Sequence, residues 1–503
     1  MNENLFDLFR RAIPAADKTF VETASGHRIR YGDMLARTAR LANVLVARGV
    51  RPGDRIAVQV EKSVENFLTY LATLRVGAVY LPLNTAYTLA EVDYFLTDSE
   101  PRLVICDPAR KDGIADLVRK RGGVAVETLD AKGQGSLSEA AEQVPAGFDD
   151  VARKGSDLAA ILYTSGTTGR SKGAMLSHHN LSSNARTLVD YWRFTAADTL
   201  LHALPIYHTH GLFVASNTVM LSGGTMLFLA KFDADETMRL LPKVTSMMGV
   251  PTFYTRLLRH PGLTREATKH MRLFTSGSAP LLAETHREFQ QKTGHAILER
   301  YGMTETNMNT SNPYEGDRIA GTVGFPLPGV SLRIADDSGK ALPQGSIGVI
   351  EVKGPNVFSG YWRMPEKTKA EFRSDGFFIT GDVGQVDARG YVHIVGRAKD
   401  LIITGGFNVY PIEVEAEIDA LPGVVESAVI GCPHPDFGEG VTAVVVAKPG
   451  AALDERTILS ALETRLAKFK LPKRVMFADE LPRNTMGKVQ KNVLRQRHEK
   501  LYA

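Results

Sequence analysis

The chain has 503 residues, of which 44% are hydrophobic and 23% charged, as in globular proteins with a large core. Its 60 basic and 56 acidic residues give a net charge of +4, which is too balanced to indicate nucleic acid or an anionic membrane as a partner. The two cysteines, Cys106 and Cys432, exclude a disulfide scaffold and a cysteine zinc site. We find neither a secretory signal nor a run of about 18 apolar residues, and expect a reducing, cytoplasmic location.

Strand-like and helix-like segments alternate over roughly the first three fifths of the chain. The predicted strands are 78–83, 102–107, 158–164, 199–208, 225–230, 246–253 and 271–277. The clearest predicted helices between them are 64–77 and 181–193. Most of these strands are apolar throughout, as expected for strands that are covered on both faces. This order predicts an α/β domain of layered, mostly parallel sheets.

The sequence changes character after about residue 320, where short strands are separated by Gly, Pro and Asp turns. This pattern predicts a β-rich subdomain. A small α+β unit follows, with predicted helices at 411–421 and 455–469 and predicted strands at 427–432 and 442–448. We therefore predict a large N-terminal domain over residues 1–397 and a small, mobile C-terminal domain over residues 398–503.

The segment LYTSGTTGRSKG, residues 162–173, places many hydroxyls, glycines and cations directly behind a predicted strand. Glycines let backbone amides approach a ligand, and successive amides with hydroxyls form an anion-binding concavity. The spacing is not that of the GxxxxGK[ST] phosphate loop. An ordinary turn is the alternative, but the density of donors favours a phosphate-binding loop to which Lys172 adds a charge.

The segment ERYGMTET, residues 299–306, combines an aromatic ring with oxygen ligands. Tyr301 offers a flat face for a base. Thr304 and Glu305 offer oxygens of the kind that Mg²⁺ uses together with phosphate groups. In isolation, the segment is equally compatible with a surface turn.

Two later segments carry charges suited to a nucleotide. Asp382 follows a Thr-Gly turn and Arg397 follows a predicted strand, so the two side chains can hold the hydroxyls of a ribose from opposite sides. Lys488 follows Gly487 and can neutralise charge at a transferring phosphoryl group or carboxylate. The alternatives are a structural ion pair and a solvated lysine.

Five segments in this order and spacing resemble the adenylate-forming superfamily of acyl-CoA synthetases, adenylation domains and luciferases. They are YTSGTTGRSKG, YGMTET, TGD, GRAKDLIITGGFNVYP and PRNTMGKV, and the resemblance runs from about Phe20 to Arg495. It implies that a carboxylate attacks the α-phosphorus of ATP, giving an acyl-adenylate and pyrophosphate. A thiol, usually that of CoA, then displaces AMP.

The resemblance also implies roles for individual residues. The phosphates of ATP would be held by Thr164, Ser165, Gly166, Thr167, Thr168, Gly169 and Lys172. Adenine would be held by Ser278, Ala279, Pro280, Glu299, Arg300 and Tyr301. Ribose would be held by Asp382 and Arg397, and Mg²⁺ by Glu305 with Thr164, while Thr304 would lie at the α-phosphate.

The second half-reaction would depend on movement of the C-terminal domain. Lys488 would bridge ATP and the carboxylate during adenylation, and Lys399 would mark the hinge. Rotation would withdraw Lys488 and present Gly405, Gly406 and Phe407 to the thiol site. In bacteria, members of this superfamily are acetylated at this lysine, so an acetyltransferase and a deacetylase acting on Lys488 are expected partners.

The acyl site carries polar residues where fatty-acyl and aryl members have apolar ones. They are His208, Thr209, His210, Arg256 and Ser276, and Met308 follows the YGMTET segment in the same pocket. A buried arginine needs an anion, so Arg256 predicts a short dicarboxylate as the substrate. The surrounding segments resemble malonate–CoA ligases, which implies malonate, with methylmalonate as a poorer substrate because Met308 and Thr209 would limit substituents. Alternatively, Arg256 points to solvent.

Three other functions remain open at this stage. The chain could be a CoA ligase for another short or aromatic acid, or it could load a carrier protein. It could also be a catalytically silent nucleotide sensor, which intact Glu305, Asp382, Arg397 and Lys488 disfavour. ATP, Mg²⁺ and CoA are the expected cofactor and substrates, and neither nucleic acid nor membrane insertion is expected.

Overall fold

The computed structural model describes residues 2–119, 121–122, 124–164, 171–404, 407–463, 465–466, 468–484 and 487–502, except for the Asn408 side chain. Four β-sheets and their helices account for this part of the chain. The architecture is the mixed α/β fold that the sequence predicts.

The first sheet has six strands and apolar side chains on both faces. In spatial order its strands are Ala125–Thr128, Leu103–Cys106, Arg55–Gln59, Val79–Pro82, Leu158–Thr164 and Lys172–Ser177. All neighbours are parallel except the last pair, in which Thr164 lies opposite Lys172. The central strands are buried along their whole length, which explains their continuous apolar sequences.

The second sheet has nine strands. In spatial order they are Phe325–Pro326, Asn307–Ser311, Leu298–Met303, Leu273–Ser276, Ser246–Gly249, Thr199–His202, Thr225–Phe228, Thr19–Thr23 and Arg28–Arg30. Six neighbouring strands in the middle run parallel. Their carboxyl ends therefore meet at one edge, where open α/β sheets bind ligands.

Helices cover the two large sheets. They are Leu5–Ala12, Tyr31–Ala47, Val64–Val76, Leu89–Ser99, Lys111–Arg119, Ser136–Glu142, His178–Tyr191, Ser216–Ser222, Ala234–Leu240, Pro251–Leu258, Arg265–Thr268 and Ala283–Thr293, with short 3₁₀ turns at Pro108–Arg110 and Leu241–Lys243 and a π-helix at His210–Ala215. Val64–Val76 shows why they begin and end where they do. Ser63 accepts a hydrogen bond from the Asn66 amide at its start, and Gly77 is left-handed at its end.

Two smaller sheets complete the fold. The third is antiparallel, with strands Ser331–Ala335, Gly348–Lys353, Phe378–Val386 and Val392–Arg397, and is followed along the chain by a 3₁₀ turn at Ala398–Asp400. The fourth contains Phe407–Val409, Ile402–Thr404, Gly438–Ala447, Val424–His434 and Arg474–Phe477. The helices of this later part are Pro365–Ala370, Pro411–Asp419, Glu455–Leu462 and Lys491–Arg497, with a 3₁₀ turn at Lys468–Lys470. The fourth sheet has its own apolar core, which matches the predicted small C-terminal unit.

Two predicted strands were too long. The strand predicted at 199–208 ends at His202, because the chain then turns at Pro205 and enters the π-helix. The strand predicted at 246–253 ends at Gly249, because Pro251 starts a helix in its place. The helix predicted at 455–469 ends at Leu462. None of the helices in the described part of the chain is both long and apolar enough to cross a membrane.

Candidate active site

The carboxyl ends of three neighbouring strands bring most of the predicted acyl-site residues to one edge of the nine-stranded sheet. One strand ends at His202 and leads to His208, Thr209 and His210. The next ones end at Gly249 and Ser276. Parallel pairing places these ends side by side, as the sequence pattern predicts.

The loop after His202 holds two histidines in a low-dielectric environment. His210 is fully buried, and its Nδ1 lies 3.2 Å from the Ser278 hydroxyl. Its Nε2 has no hydrogen-bond partner in the described part of the chain. Burial lowers the pKa of His208 to about 4, with smaller contributions from the positive charges of Arg300 and Lys488. Both imidazoles are therefore neutral near pH 7 and can face anionic substrates as hydrogen-bonding groups.

Loss of stability in acid is a testable consequence of this burial. The unfolded chain binds a proton at His208 below pH 6.5, whereas the folded chain binds it only near pH 4, so stability falls as pH drops through this window. His208→Asn should remove about 3 kcal/mol of this acid-induced loss at pH 4. Urea unfolding at pH 7.5, 5.5 and 4 measures it. Parallel pH dependence in variant and wild type would contradict the assignment.

Arg300 is a buried cation near the histidines predicted at the acyl site. It is 3% exposed, and its Nε and Nη2 have no hydrogen-bond partner among the described residues. Burial lowers the pKa of this guanidinium to about 9. Its side chain lies over Gly277, where an added Cβ would be 2.3 Å from Nη1. An unpaired buried guanidinium fits an anionic ligand, because burying one without an anion is costly.

Arg256 does not have the burial that the sequence argument required. It lies on the helix Pro251–Leu258 and is exposed to solvent. No described carboxylate lies within ion-pairing distance of it. The premise that Arg256 is a buried cation is therefore wrong. The helix turns Tyr254, Leu257 and Leu258 inward instead. Arg300 is a buried arginine of this region, and its charge acts on both His208 and His210.

Thr209, Ser276 and Met308 are all buried, as a closely fitting acyl pocket requires. The Thr209 hydroxyl donates to Asn307 Oδ1 at 3.0 Å. Asn307 has a left-handed backbone with φ of 52°, and its Nδ2 is unpaired among the described residues. The Ser276 hydroxyl is also unpaired there. Asn307 directly precedes Met308 in the sequence, and its backbone conformation and unpaired amide mark it as a further polar residue of this region.

Asp382 and Arg397 form the predicted pair at the nucleotide site. They lie opposite each other on neighbouring strands, and Arg397 Nε is 2.7 Å from Asp382 Oδ1. The Tyr301 hydroxyl donates to the other carboxylate oxygen of Asp382. Asp382 raises the pKa of Arg397. The structure thus brings together the residues expected to hold a base and a ribose.

The residues expected at adenine lie on the strand Leu298–Met303 and on the turn that follows the strand Leu273–Ser276. Glu299 is buried, and burial raises the pKa of its carboxyl to about 8. Its Oε1 accepts a hydrogen bond from the Leu281 amide, and its Oε2 is unpaired among the described residues. The turn Ser278, Ala279 and Pro280 is partly exposed, and Ser278 has φ of 71°. The free oxygen of Glu299 is therefore a buried hydrogen-bond acceptor, and the turn 278–280 has an accessible backbone.

Glu305 lies in a network that the sequence analysis missed. The Tyr361 hydroxyl is 3.0 Å from Glu305 Oε1 and 2.6 Å from Glu371 Oε2. Lys172 pairs with Glu371 at 3.1 Å and lies 4.1 Å from the centre of the Tyr361 ring. Burial raises the pKa of Glu305. Tyr361 and Glu371 therefore connect Lys172, the lysine predicted at the phosphates, with Glu305, the carboxylate predicted at Mg²⁺. Their distance along the sequence hides this link.

Glu305 also satisfies the chemistry of a magnesium site. It is a buried carboxylate with no ion-pair partner among the described residues, so a cation would relieve its burial. Thr164 ends the strand that leads to the phosphate loop, and Thr304 is partly exposed beside Glu305. The described residues contain no cluster of three or more metal-binding side chains. One carboxylate plus phosphate oxygens is how Mg²⁺ is usually held.

Lys488 lies at the same site, although it belongs to the C-terminal unit. It is solvent-exposed, yet the surrounding protein atoms lower the pKa of its amine, and the charge of Arg397 lowers it further. The preceding Gly487 lies against the helix Pro251–Leu258, since an added Cβ would be 3.2 Å from Thr252. The structure therefore holds Lys488 close to His208, Asp382 and Arg397.

The remaining predicted residues lie at the surface or outside the described part of the chain. Lys399 is exposed in the 3₁₀ turn Ala398–Asp400. Phe407 is 55% exposed and stacks on Phe469 with 4.7 Å between ring centres. The predicted residues that fall outside the described ranges are Ser165, Gly166, Thr167, Thr168, Gly169, Gly405 and Gly406.

Two family models together match most of the chain. Residues 8–362 match the AMP-binding enzyme family, and residues 413–488 match the AMP-binding enzyme C-terminal domain. A feruloyl-CoA synthase from Amycolatopsis sp. is 38% identical, with 94% of each chain covered. A malonate–CoA ligase from Arabidopsis thaliana is 33% identical over 98% of this chain and 89% of that protein.

The solved structures give the same family and distinguish two arrangements. ATP-bound MatB from Rhodopseudomonas palustris is 65% identical, covers 100% of both chains and superposes with a TM-score of 0.98. The apo form of MatB, 66% identical over 100% of both chains, gives only 0.86. The present arrangement of the chain is thus closer to the ATP-bound form.

Proposed function

The chain belongs to the AMP-binding enzyme family, and on this basis we propose that it is a malonate–CoA ligase. One carboxylate oxygen of malonate attacks the α-phosphorus of ATP and pyrophosphate leaves, giving malonyl-AMP. The CoA thiol then attacks the acyl carbonyl, loses its proton and expels AMP. Full-length similarity to malonate–CoA ligases and to MatB supports this activity.

The unpaired buried guanidinium of Arg300 is the observation that carries the choice of acid. An aromatic or fatty acid would leave that guanidinium without an anion in a dry pocket, whereas malonate brings a second carboxylate. Two N–H donors on one planar group can bind both oxygens of that carboxylate. His210 Nε2 and the Ser276 hydroxyl are two further buried groups without partners among the described residues, and they would complete its hydrogen bonds.

Residues of this chain would then hold each part of ATP. Asp382 and Arg397 hold ribose, the Tyr301 ring lies at adenine, and Lys172 contacts the outer phosphates. Mg²⁺ would be held by Glu305 and phosphate oxygens, and its charge would offset repulsion between the two anionic reactants. Lys488 would add a second positive charge at the reacting groups.

Arg300→Gln should change which acids are activated. With malonate, kcat/KM should fall by about 100-fold or more, because a buried charged hydrogen-bonding pair is lost. Propionate and acetate should be unaffected or improved. The measurement is acid-dependent ATP–pyrophosphate exchange with malonate, methylmalonate, succinate, acetate, propionate, coumarate and octanoate, followed by CoA consumption.

Arg256→Gln is the matched control, because it removes the same charge from an exposed position near the same site. We expect it to retain the wild-type preference. If Arg256→Gln rather than Arg300→Gln removes the advantage of malonate, the exposed arginine is the anion-binding group. If wild type prefers coumarate, the proposed acid is wrong.

A CoA ligase for an aromatic acid is the second candidate, because the feruloyl-CoA synthase is the more similar of the two curated relatives described above. The buried polar side chains of the acyl site oppose it. An aromatic ring would have to pack against the buried side chains of His210, Arg300 and Ser276 and would leave their polar atoms without partners. The same exchange panel separates the two candidates.

We propose that the second half-reaction needs a different placement of the C-terminal unit, with the boundary near residue 397. Gly487 lies against Thr252 of the helix Pro251–Leu258 here, while Phe407 is exposed. The lower similarity to the apo form of MatB supports a hinge between two arrangements, and Lys399 lies in the turn that would serve as one.

Acetylation of Lys488 would remove the charge that adenylation requires. Its solvent exposure makes it accessible to an acetyltransferase. We also retain a cytoplasmic location in the proposal, since both cysteines are free thiols in the structure.

A further inference from the structure

Lys62 is a buried lysine without an acidic partner, and it lies outside the residues assigned above. It is 7% exposed, and no described carboxylate pairs with it. Its Nζ lies 4.2 Å from the centre of the Phe228 ring. Such a group is costly to bury, so its surroundings should show what it stabilises.

Both hydrogen bonds of Lys62 are to His202, the last residue of the strand Thr199–His202 that precedes the acyl-site loop. Lys62 Nζ donates to the backbone oxygen of His202 at 2.8 Å and lies 3.0 Å from His202 Nδ1. His202 Nε2 lies 3.0 Å from the backbone oxygen of Gly211, which can only accept, so Nε2 carries the proton of the neutral imidazole. Nδ1 therefore accepts from the lysine amine.

That proton is directed at the π-helix His210–Ala215. His202 Nε2 lies 3.0 Å from the backbone oxygen of Gly211 and 3.1 Å from the Ser216 hydroxyl. The Ser216 hydroxyl and the Ser216 amide donate to the same oxygen. The Gly211 carbonyl thus joins the end of the strand Thr199–His202 to the π-helix His210–Ala215. π-Helical turns are often found at functional sites.

The π-helix packs closely against the loop before it. A Cβ at Gly211 would lie 2.1 Å from the backbone oxygen of Pro205, so the π-helix packs directly on the loop that precedes it. The Leu212 amide donates to His208 O at 3.0 Å. Fixing Gly211 therefore fixes the loop that carries His208, Thr209 and His210 at the acyl site.

We propose that Lys62 is a positioning residue for adenylation, acting through His202 and the π-helix on the side chains that receive the acid. It does not touch the reactants. The lowered pKa of buried Lys62 agrees with a role as a hydrogen-bond donor rather than as a charge. The proposal depends on the function proposed above only for the identity of the acid.

Lys62→Met keeps the length of the side chain and removes its donors. We expect kcat/KM for the acid to fall about 10- to 100-fold, because small displacements of reacting groups are costly, while KM for ATP changes less than about twofold. Selective ¹⁵N labelling of histidine should show one His202 tautomer in wild type and a mixture in the variant. Lys18→Met is the matched control, since Lys18 also donates to a backbone oxygen but lies away from the site.

Ser216→Ala provides a second test if Lys62→Met does not fold, because it removes one of the donors to Gly211 O. We expect the same acid-selective loss, smaller in size. Unchanged kinetics in both variants, or equal losses for acid and ATP, would overturn the proposal. If wild type does not activate malonate, the comparison is made with the acid that it does activate, so the two proposals fail separately.

Discussion

Lys488→Ala should lose about 10²- to 10³-fold in the rate of acyl-adenylate formation, the cost of removing a charge directed at developing negative charge. The structure holds Lys488 beside His208, Asp382 and Arg397, where ATP and the acid would meet. Two anions must approach each other there, so the loss should appear in kcat rather than in KM for ATP. Pyrophosphate exchange measures this half-reaction.

The thiol half-reaction should remain nearly intact in the same variant. Preformed malonyl-AMP mixed with CoA should give the thioester at close to the wild-type rate, because Lys488 would have been withdrawn by then. Lys491→Ala is the control, since Lys491 pairs with Glu415 at 2.6 Å in the C-terminal unit. Equal losses in both half-reactions would show that Lys488 supports the fold or both steps.

Glu305→Gln should reduce exchange by about 10²-fold or more, since Mg²⁺ loses its carboxylate and a transition-state charge is left unbalanced. The replacement has the same shape and can keep its contact with Tyr361, so the fold should persist. Titration of exchange with Mg²⁺ should require higher metal concentrations. Binding of Mg²⁺–ATP, measured by calorimetry, provides a readout independent of turnover.

Glu315→Gln is the matched control for that change. Glu315 lies ten residues further along the chain, where it pairs with Arg193 on the surface. We expect wild-type exchange and an unchanged Mg²⁺ requirement, because exposed ion pairs contribute little. An unchanged Mg²⁺ dependence in Glu305→Gln would contradict its role as the metal ligand.

The fold could be predicted well because its strands are short apolar runs bounded by turn residues. The prediction of 158–164 agrees with the structure residue for residue. The strands predicted at 199–208 and 246–253 were too long because an apolar sequence continues past the end of each strand. It runs into a turn before the π-helix in the first case and into a helix in the second. The periodicity of such a short run does not distinguish a strand from these conformations.

The nucleotide site was predicted better than the acyl site for a physical reason. Asp382 and Arg397 lie in local motifs, and strand pairing brings the two together. The direction of a side chain on a helix of eight residues is not fixed by its sequence, so Arg256 was placed inside. Arg300 was assigned to adenine because it lies within a nucleotide motif, and that assignment stays a prediction beside the proposal that it binds the acid. The structure shows its guanidinium over Gly277.

The close approach of Arg300 to Gly277 also constrains how the specificity of this enzyme can evolve. While the guanidinium holds its place, a larger residue at position 277 requires Arg300 to shift, since a Cβ there would lie 2.3 Å from Nη1. Once a shorter side chain replaces Arg300, that space opens. The structure therefore favours one order for changes of acid specificity, with the arginine lost first and the turn enlarged afterwards.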